Sequence, residues 1–346
     1  MVPLGDRADG AAGPGSASIT AYLELLHREI ALAPPLAPLS SVYLGGGTPS
    51  MLSPAQVRAL LVALRRRFGL APGAEISLEM DPASFDRDRL CGYLQAGVNR
   101  VSLGAQSFDD QLLARLGRRH RRGDLLQAIA WLAWAAQGQG LRSWSLDLIQ
   151  GAPLGDGPLD GGGVVPPPPD PLRHWEEQLA QAIAARPPHL SVYDLIVEPG
   201  TVFARQQASG TLQLPDEDCG ADLMACTQAR LSAAGYGHYE VSNYALPGHA
   251  SRHNRVYWSG AGWWGFGMGA TSAPWGERLA RPRTRADYGA WLEAQERARD
   301  AALPAHGMPP APGMPQALGM PFDELLLVGL RDRKSTRLNS SHTVIS

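Results

Sequence analysis

Between residues 41 and 196 the sequence alternates short apolar strand runs with helix-length stretches. The strand runs are Ser41–Leu44, Glu75–Glu79, Arg100–Ala105, Leu141–Ile149 and His189–Ile196. Between them Ser53–Phe68, Asp86–Ala96, Asp109–Leu116 with Asp124–Ala136, and Leu172–Ala185 carry helical spacing. A strand followed by a crossover of that length returns parallel to the strand before it. The alternation therefore specifies a parallel sheet covered by helices, doubly wound or barrel-like. A further helix over Ala21–Leu32 precedes the first strand, with Tyr22, Leu25, Leu26 and Ile30 on one face. Ser53 is placed to cap the next helix, with Pro54 at its first turn.

After Pro199 the pattern weakens. Asp216–Ala234 reads as a helix, whereas Tyr236–Tyr244 and Arg255–Trp275, rich in Trp, Tyr and Gly, read as short antiparallel strands of a smaller α+β region. The expected organisation is an α/β unit over 1–198, an α+β region over 199–298, a linker over 299–321, a helix over 322–331 and a tail over 332–346. The linker repeats Gly-Met-Pro every six residues, at Gly307, Gly313 and Gly319. A Gly- and Pro-rich insert spans 155–171. Gly and Pro fill about a fifth of the chain, where ~12% is usual, yet 44% hydrophobic content suffices for a core. The excess thus belongs to inserts and loops.

Composition excludes several functions. A net charge of −2 gives no electrostatic footprint for nucleic acid. Lys334 is the one lysine, so neither a P-loop nor a Schiff-base enzyme can be built. It sits in a Ser/Thr/Asn-rich tail whose composition marks 332–346 as non-native. Cys91, Cys219 and Cys226 do not make a disulfide scaffold and suit a reducing compartment. No apolar run reaches the roughly 18 residues of a membrane span, and the first twenty residues lack a signal-peptide pattern. The expected location is cytoplasmic, without an integral membrane segment.

Ligands of α/β sheets bind at the carboxyl ends of the strands. At those ends stand Gly45-Gly46-Gly47-Thr48-Pro49, Glu79, Gln106-Ser107, Asp147 and Glu198. The glycines either let backbone amides approach a ligand or simply make a tight turn. Glu79 and Asp147, carboxylates in apolar strands, are either structural ion pairs or, with Gln106, parts of a pocket for hydroxyls and an amine.

The ordered series GGGTPS, LEMDP, GVNRVSLGAQSF, LGRRH, DLIQGAP and HLSVYDLIVEPGT resembles the radical S-adenosylmethionine (SAM) proteins of the coproporphyrinogen oxidase group, a resemblance that runs from about Tyr22 to Leu330 with the two inserts as departures. The resemblance implies a partial (β/α)6 barrel whose first strand is missing here, plus the smaller α+β region. It places SAM contacts on Gly47, Thr48, Glu79, Gln106, Arg118 and Asp147. It also implies a [4Fe–4S] cluster on a Cys-x3-Cys-x2-Cys loop that would precede Met1. Cys91, Cys219 and Cys226 lack that spacing, so no catalytic residue is assigned and reductive cleavage of SAM is not expected of this chain. The chain reads as the middle of a longer protein.

Tyr239-Glu240-Val241-Ser242-Asn243-Tyr244 and His253-Asn254-Arg255-Val256-Tyr257-Trp258 resemble elements of the HemW-type haem chaperones within that group. This implies haem bound through His253 as iron ligand, with Tyr257 and Trp258 packing on the porphyrin. His238 and His249 are candidates for a second axial ligand. The main reading is a haem chaperone that passes haem to an unnamed acceptor protein. The alternatives are an oxygen-independent coproporphyrinogen III dehydrogenase and an inactive fragment.

Overall fold

All five strand runs form strands, and helices occupy the stretches between them. A computed structural model describes residues 16–301 apart from 36, 155–168, 213 and 275–277. The insert over most of its length, the linker beyond Ala301, the helix over 322–331 and the tail lie outside the described residues. The chain runs α1 (Ala17–Leu32), β1 (Leu39–Leu44), α2 (Pro54–Phe68), β2 (Leu70–Met80), α3 (Arg87–Ala96), β3 (Arg100–Gln106), α4 (Asp110–Arg115), α5 (Arg122–Ala136), β4 (Ser143–Gln150), α6 (Pro171–Ala184) and β5 (His189–Asp194). Then follow α7 (Val202–Ala208), α8 (Glu217–Ala233), β6 (Gly237–His238), β7 (Asn243–Ala245), α9 (Arg252–Trp258), β8 (Thr271–Ser272), β9 (Leu279–Ala280) and α10 (Arg285–Ala301).

Two compact units divide these elements. The first takes the described residues up to Leu78, then Asp88–Asn99 and the described residues from Ser251 onward. In it β1 and β2 pair in parallel, Val42 opposite Ile76. Ser53 caps α2 as its sequence predicts: its Oγ accepts from Gln56 N–H at 3.2 Å, and Gln56 Oε1 accepts from Ser53 N–H at 2.8 Å. The interior of this unit also holds a buried polar cluster. Glu29 of α1 accepts from Arg281 Nε (2.6 Å), Gly267 N–H (2.7 Å) and Tyr288 Oη of α10 (2.5 Å).

The second unit comprises Glu79–Arg87 and Arg100–Ala250. Here β3, β4 and β5 are parallel, with β7 and then β6 added antiparallel on the β5 side. Parallel strands covered on both faces become nearly continuous apolar runs. Leu103, Leu146, Leu148 and Leu190 are wholly buried, and α5 and α6 press Leu125, Leu132 and Leu179 into the same core. Asp147 is the one position of β4 that is not fully closed off.

Three helices depart from the expected pattern. Arg255–Trp258, expected in a strand, lies in α9, and α7 and α10 arise where no element is anticipated. For α9 the reason is tertiary. Ser251 Oγ accepts from Asn254 N–H at 3.2 Å, and the Glu75 carboxylate of β2 accepts the N–H groups of Arg252 (3.1 Å) and His253 (3.0 Å). A negative charge is thereby set on the helix N-terminus, where the unpaired amides and the dipole favour it.

Candidate functional site

In the first unit the glycine turn directly follows β1. Gly46 and Gly47 adopt φ of 84° and 62°, a region closed to most side chains, so a tight turn is part of their role. The space a Cβ would occupy at either is open, and both are exposed, so their backbone also faces free volume. The segment is anchored from α3. Tyr93, wholly buried, donates its hydroxyl toward the Ser50 and Leu52 carbonyls at 2.8 and 2.7 Å, and Arg89 donates to the Met51 and Leu52 carbonyls.

In the second unit Asp147 lies opposite Ser191 in the β4–β5 register. Ser102 Oγ donates to its Oδ2 at 2.7 Å and Ser145 Oγ to its Oδ1 at 3.3 Å. Burial pushes this carboxyl up to about 6; the hydroxyls of Ser102, Ser191 and Ser145 oppose that rise and the charge of Glu79 adds to it. Glu79 is thus near enough to Asp147 for its charge to be felt there.

Gln106 closes β3 in an unusual conformation. Its φ is 63°, although it is not glycine, and its register with Leu148 is irregular. The side chain folds back over Gly104: a Cβ there would lie 3.0 Å from Gln106 Nε2. Arg118 is half-buried; burial lowers the basicity of its guanidinium and the Asp81 carboxylate restores part of it. Asp81 in turn faces the wholly buried His120, with Oδ2 at 3.6 Å from Nδ1.

His253, back in the first unit, is held on every side. Nδ1 meets Ser41 Oγ at 3.1 Å and Nε2 meets Tyr257 Oη at 3.0 Å. The ring stacks on Tyr43 with centroids 4.9 Å apart, and Tyr257 packs edge-on against Trp263 at 4.9 Å. Burial lowers its pKa to about 4 against the charge of Glu75, which keeps the imidazole neutral. Both ring nitrogens have partners, so coordination of a metal would exchange one hydrogen bond for the metal bond. His238 and His249 lie in the second unit. The former stacks on Tyr244 and the latter meets Ser143 Oγ at 3.1 Å.

Residues 20–135 match the Radical SAM superfamily model. The chain is 43% identical over 274 residues to "Heme chaperone HemW" of Synechocystis sp., covering 79% of this chain and 62% of that protein. It is 38% identical to the Escherichia coli protein of the same name, covering 74% and 64%. Residues 20–135 belong to a radical SAM domain. Coproporphyrinogen III oxidase (HemN) of Escherichia coli, a radical SAM enzyme, shares the fold with a TM-score of 0.62 at 24% identity over 80% of this chain and 62% of that one. This chain spans less than two thirds of the length of these relatives.

A radical SAM domain implies SAM and a [4Fe–4S] cluster. In the first unit the glycine turn leaves backbone facing open space, and in the second the Asp147 carboxylate and the bent Gln106 are polar groups of the kind a nucleoside calls for. The cysteines do not fit the cluster. Cys91 lies on α3, and Cys219 and Cys226 stand seven residues apart on α8. Among the described residues no three His, Cys, Asp or Glu side chains are grouped to hold a metal ion. None of the described helices is long and apolar enough to cross a membrane.

Of the nine predicted contacts, Gly47, Thr48, His253, Tyr257 and Trp258 belong to the first unit, and Glu79, Gln106, Arg118 and Asp147 to the second. Sequence reasoning misses Ser41, Tyr43 and Glu75 around His253, and Ser102, Ser191, Asp81 and His120 in the second unit. The LEMDP and LGRRH motifs contain Asp81 and His120, but nothing in their spacing joins them.

Proposed function

We propose that this chain handles haem in the manner named for its HemW relatives, taking haem at α9 and passing it to an acceptor protein, with SAM held by Gly47, Thr48, Glu79, Gln106, Arg118 and Asp147. The observation that carries the haem reading is the His253 environment. A neutral imidazole stands among Tyr43, Tyr257, Trp258 and Trp263, the aromatic surroundings that pack against a porphyrin. On this reading Nε2 gives up Tyr257 Oη for iron, while Ser41 keeps Nδ1 and so fixes the orientation of the ring. Tyr257 and Trp258 cover the ring face.

For SAM, Asp147 and Glu79 would accept from ribose hydroxyls and the ammonium, and Arg118 would meet the carboxylate. When bound, SAM supplies a methionine and an adenosyl moiety. The residues themselves bind, orient and keep charge balanced. A haem titration of the full chain tests the first part. A saturable Soret change near one equivalent, lost in His253→Ala and retained in Asp147→Asn, is expected. Haem binding that never saturates, or that His253→Ala leaves unchanged, refutes it.

A further inference from the structure

The loop after β3 is bent at Gln106, and groups outside the loop hold the bend. Ser107 N–H donates to the Ala105 carbonyl at 2.7 Å across Gln106, whose φ is 63°. An i→i+2 closure with positive φ is the rare, strained kind of γ-turn. Glycine would occupy it without strain, yet the chain places a long polar side chain there. Conformations of this kind persist only where the surroundings over-determine them.

The surroundings are specific. On one side Gln178 of α6 accepts from Phe108 N–H at 2.6 Å and from Ser107 Oγ at 2.9 Å. On the other, His120 donates Nε2–H to the same Ala105 carbonyl at 3.1 Å. His120 is wholly buried and its Nδ1 has no hydrogen-bond partner; it faces Asp81 Oδ2 at 3.6 Å. Asp81 is fixed by capping the single turn Pro82–Ser84, where its Oδ1 accepts from Ala83 N–H at 3.0 Å. The same carboxylate faces the side of the His120 ring away from Ala105, where it attracts the ring once Nδ1 also carries a proton, and through its charge it attracts Arg118.

We propose that His120, faced by Asp81, is a positioning residue that locks Gln106 in its strained turn and so aims the Gln106 amide at the nucleoside ligand. The proposal rests on the SAM reading for what Gln106 touches, and on the geometry alone for the brace. A side chain clamped in this way is presented in one orientation, so little ordering remains to be done when the ligand arrives. Loss of the imidazole frees the Ala105 carbonyl, relaxes the turn and lets the amide swing off Gly104.

Two measurements on the full chain test it, calorimetric titration with SAM and site-resolved amide hydrogen exchange. His120→Ala is expected to weaken SAM binding about tenfold, the scale of one relaxed strained residue. His120→Gln, which restores a donor, is expected to recover most of the loss. In a Gln106→Ala background the same His120→Ala change is expected to cost less than about twofold, because its effect runs through Gln106. The Ser107 amide loses protection in His120→Ala while Leu103 within β3 keeps its own. If His120→Ala does not fold, Asp81→Asn takes its place with a smaller loss in the same direction. Unchanged affinity, no rescue by glutamine, or an undiminished loss in the Gln106→Ala background overturns the proposal. Should the parent chain bind no SAM, the ligand reading fails on its own and exchange decides the brace. Ser107 protection that is absent, or indifferent to His120, refutes it.

Discussion

Asparagine at Asp147 would separate what this carboxylate does for the fold from what it does for a ligand. In the native protein the group is raised from 3.8 to about 6, first by burial and then by the charge of Glu79, against the pull of three serine hydroxyls. Between about pH 4 and 6 the native state therefore keeps a proton that the unfolded chain has released, and stability falls as pH rises through that window. Each pH unit of displacement corresponds to ~1.4 kcal/mol, so ionised Asp147 costs about 3 kcal/mol above neutrality. Asparagine keeps the shape and offers Ser102 and Ser145 an amide, but carries no charge to desolvate. Allowing for one exchanged hydrogen bond, Asp147→Asn is expected to be about 2–3 kcal/mol more stable than the parent at about pH 8 and nearly equal at about pH 4. Urea unfolding at the two pH values measures this. A gap independent of pH, or a variant less stable at the higher pH, would falsify the reasoning. SAM binding should move the opposite way, since residues kept at a cost in stability are kept for function.

Removal of the charge at Glu29 by Glu29→Gln leaves Arg281 buried without its counter-ion and is expected to cost about 3–5 kcal/mol, read as a drop in unfolding midpoint. The substitution Gly104→Ala puts a methyl group 3.0 Å from Gln106 Nε2 and is expected to weaken SAM binding severalfold with little change in melting temperature; an unchanged affinity would show that the amide does not contact the ligand. Ser53→Ala removes both the cap and the reciprocal bond to Gln56, and should lower stability by about 1 kcal/mol without touching haem or SAM binding.

The sheet was legible because parallel strands and their crossover helices leave local periodicity: β3, β4 and β5 set Val, Leu, Trp and Ile among small polar residues in short runs, and α2 carries its cap in Ser53 and Pro54. The raised carboxyl of Asp147 could be anticipated too, since a carboxylate among Leu146, Leu148 and Ile149 stands out. Elsewhere the determining forces are not local. α10 buries only Tyr288 and Leu292, too sparse a stripe to register as a period. His120 reads as one basic residue in an arginine run, and only the folded chain shows it wholly enclosed against the Ala105 carbonyl. The positive φ of Gln106 has no sequence signal at all, because glutamine does not advertise it.

The seven residues of α9 are too few to hold a helix in water by themselves. Their N-terminus is completed by Glu75, 176 residues earlier in the chain than Ser251. During synthesis, or after partial unfolding of the first unit, the segment containing His253, Tyr257 and Trp258 is therefore an unstructured stretch. Its aromatic groups converge only once β2 is in place to receive the helix. Whatever this segment binds, it binds as a sign of completed folding, and an immature or damaged molecule has no such surface to load.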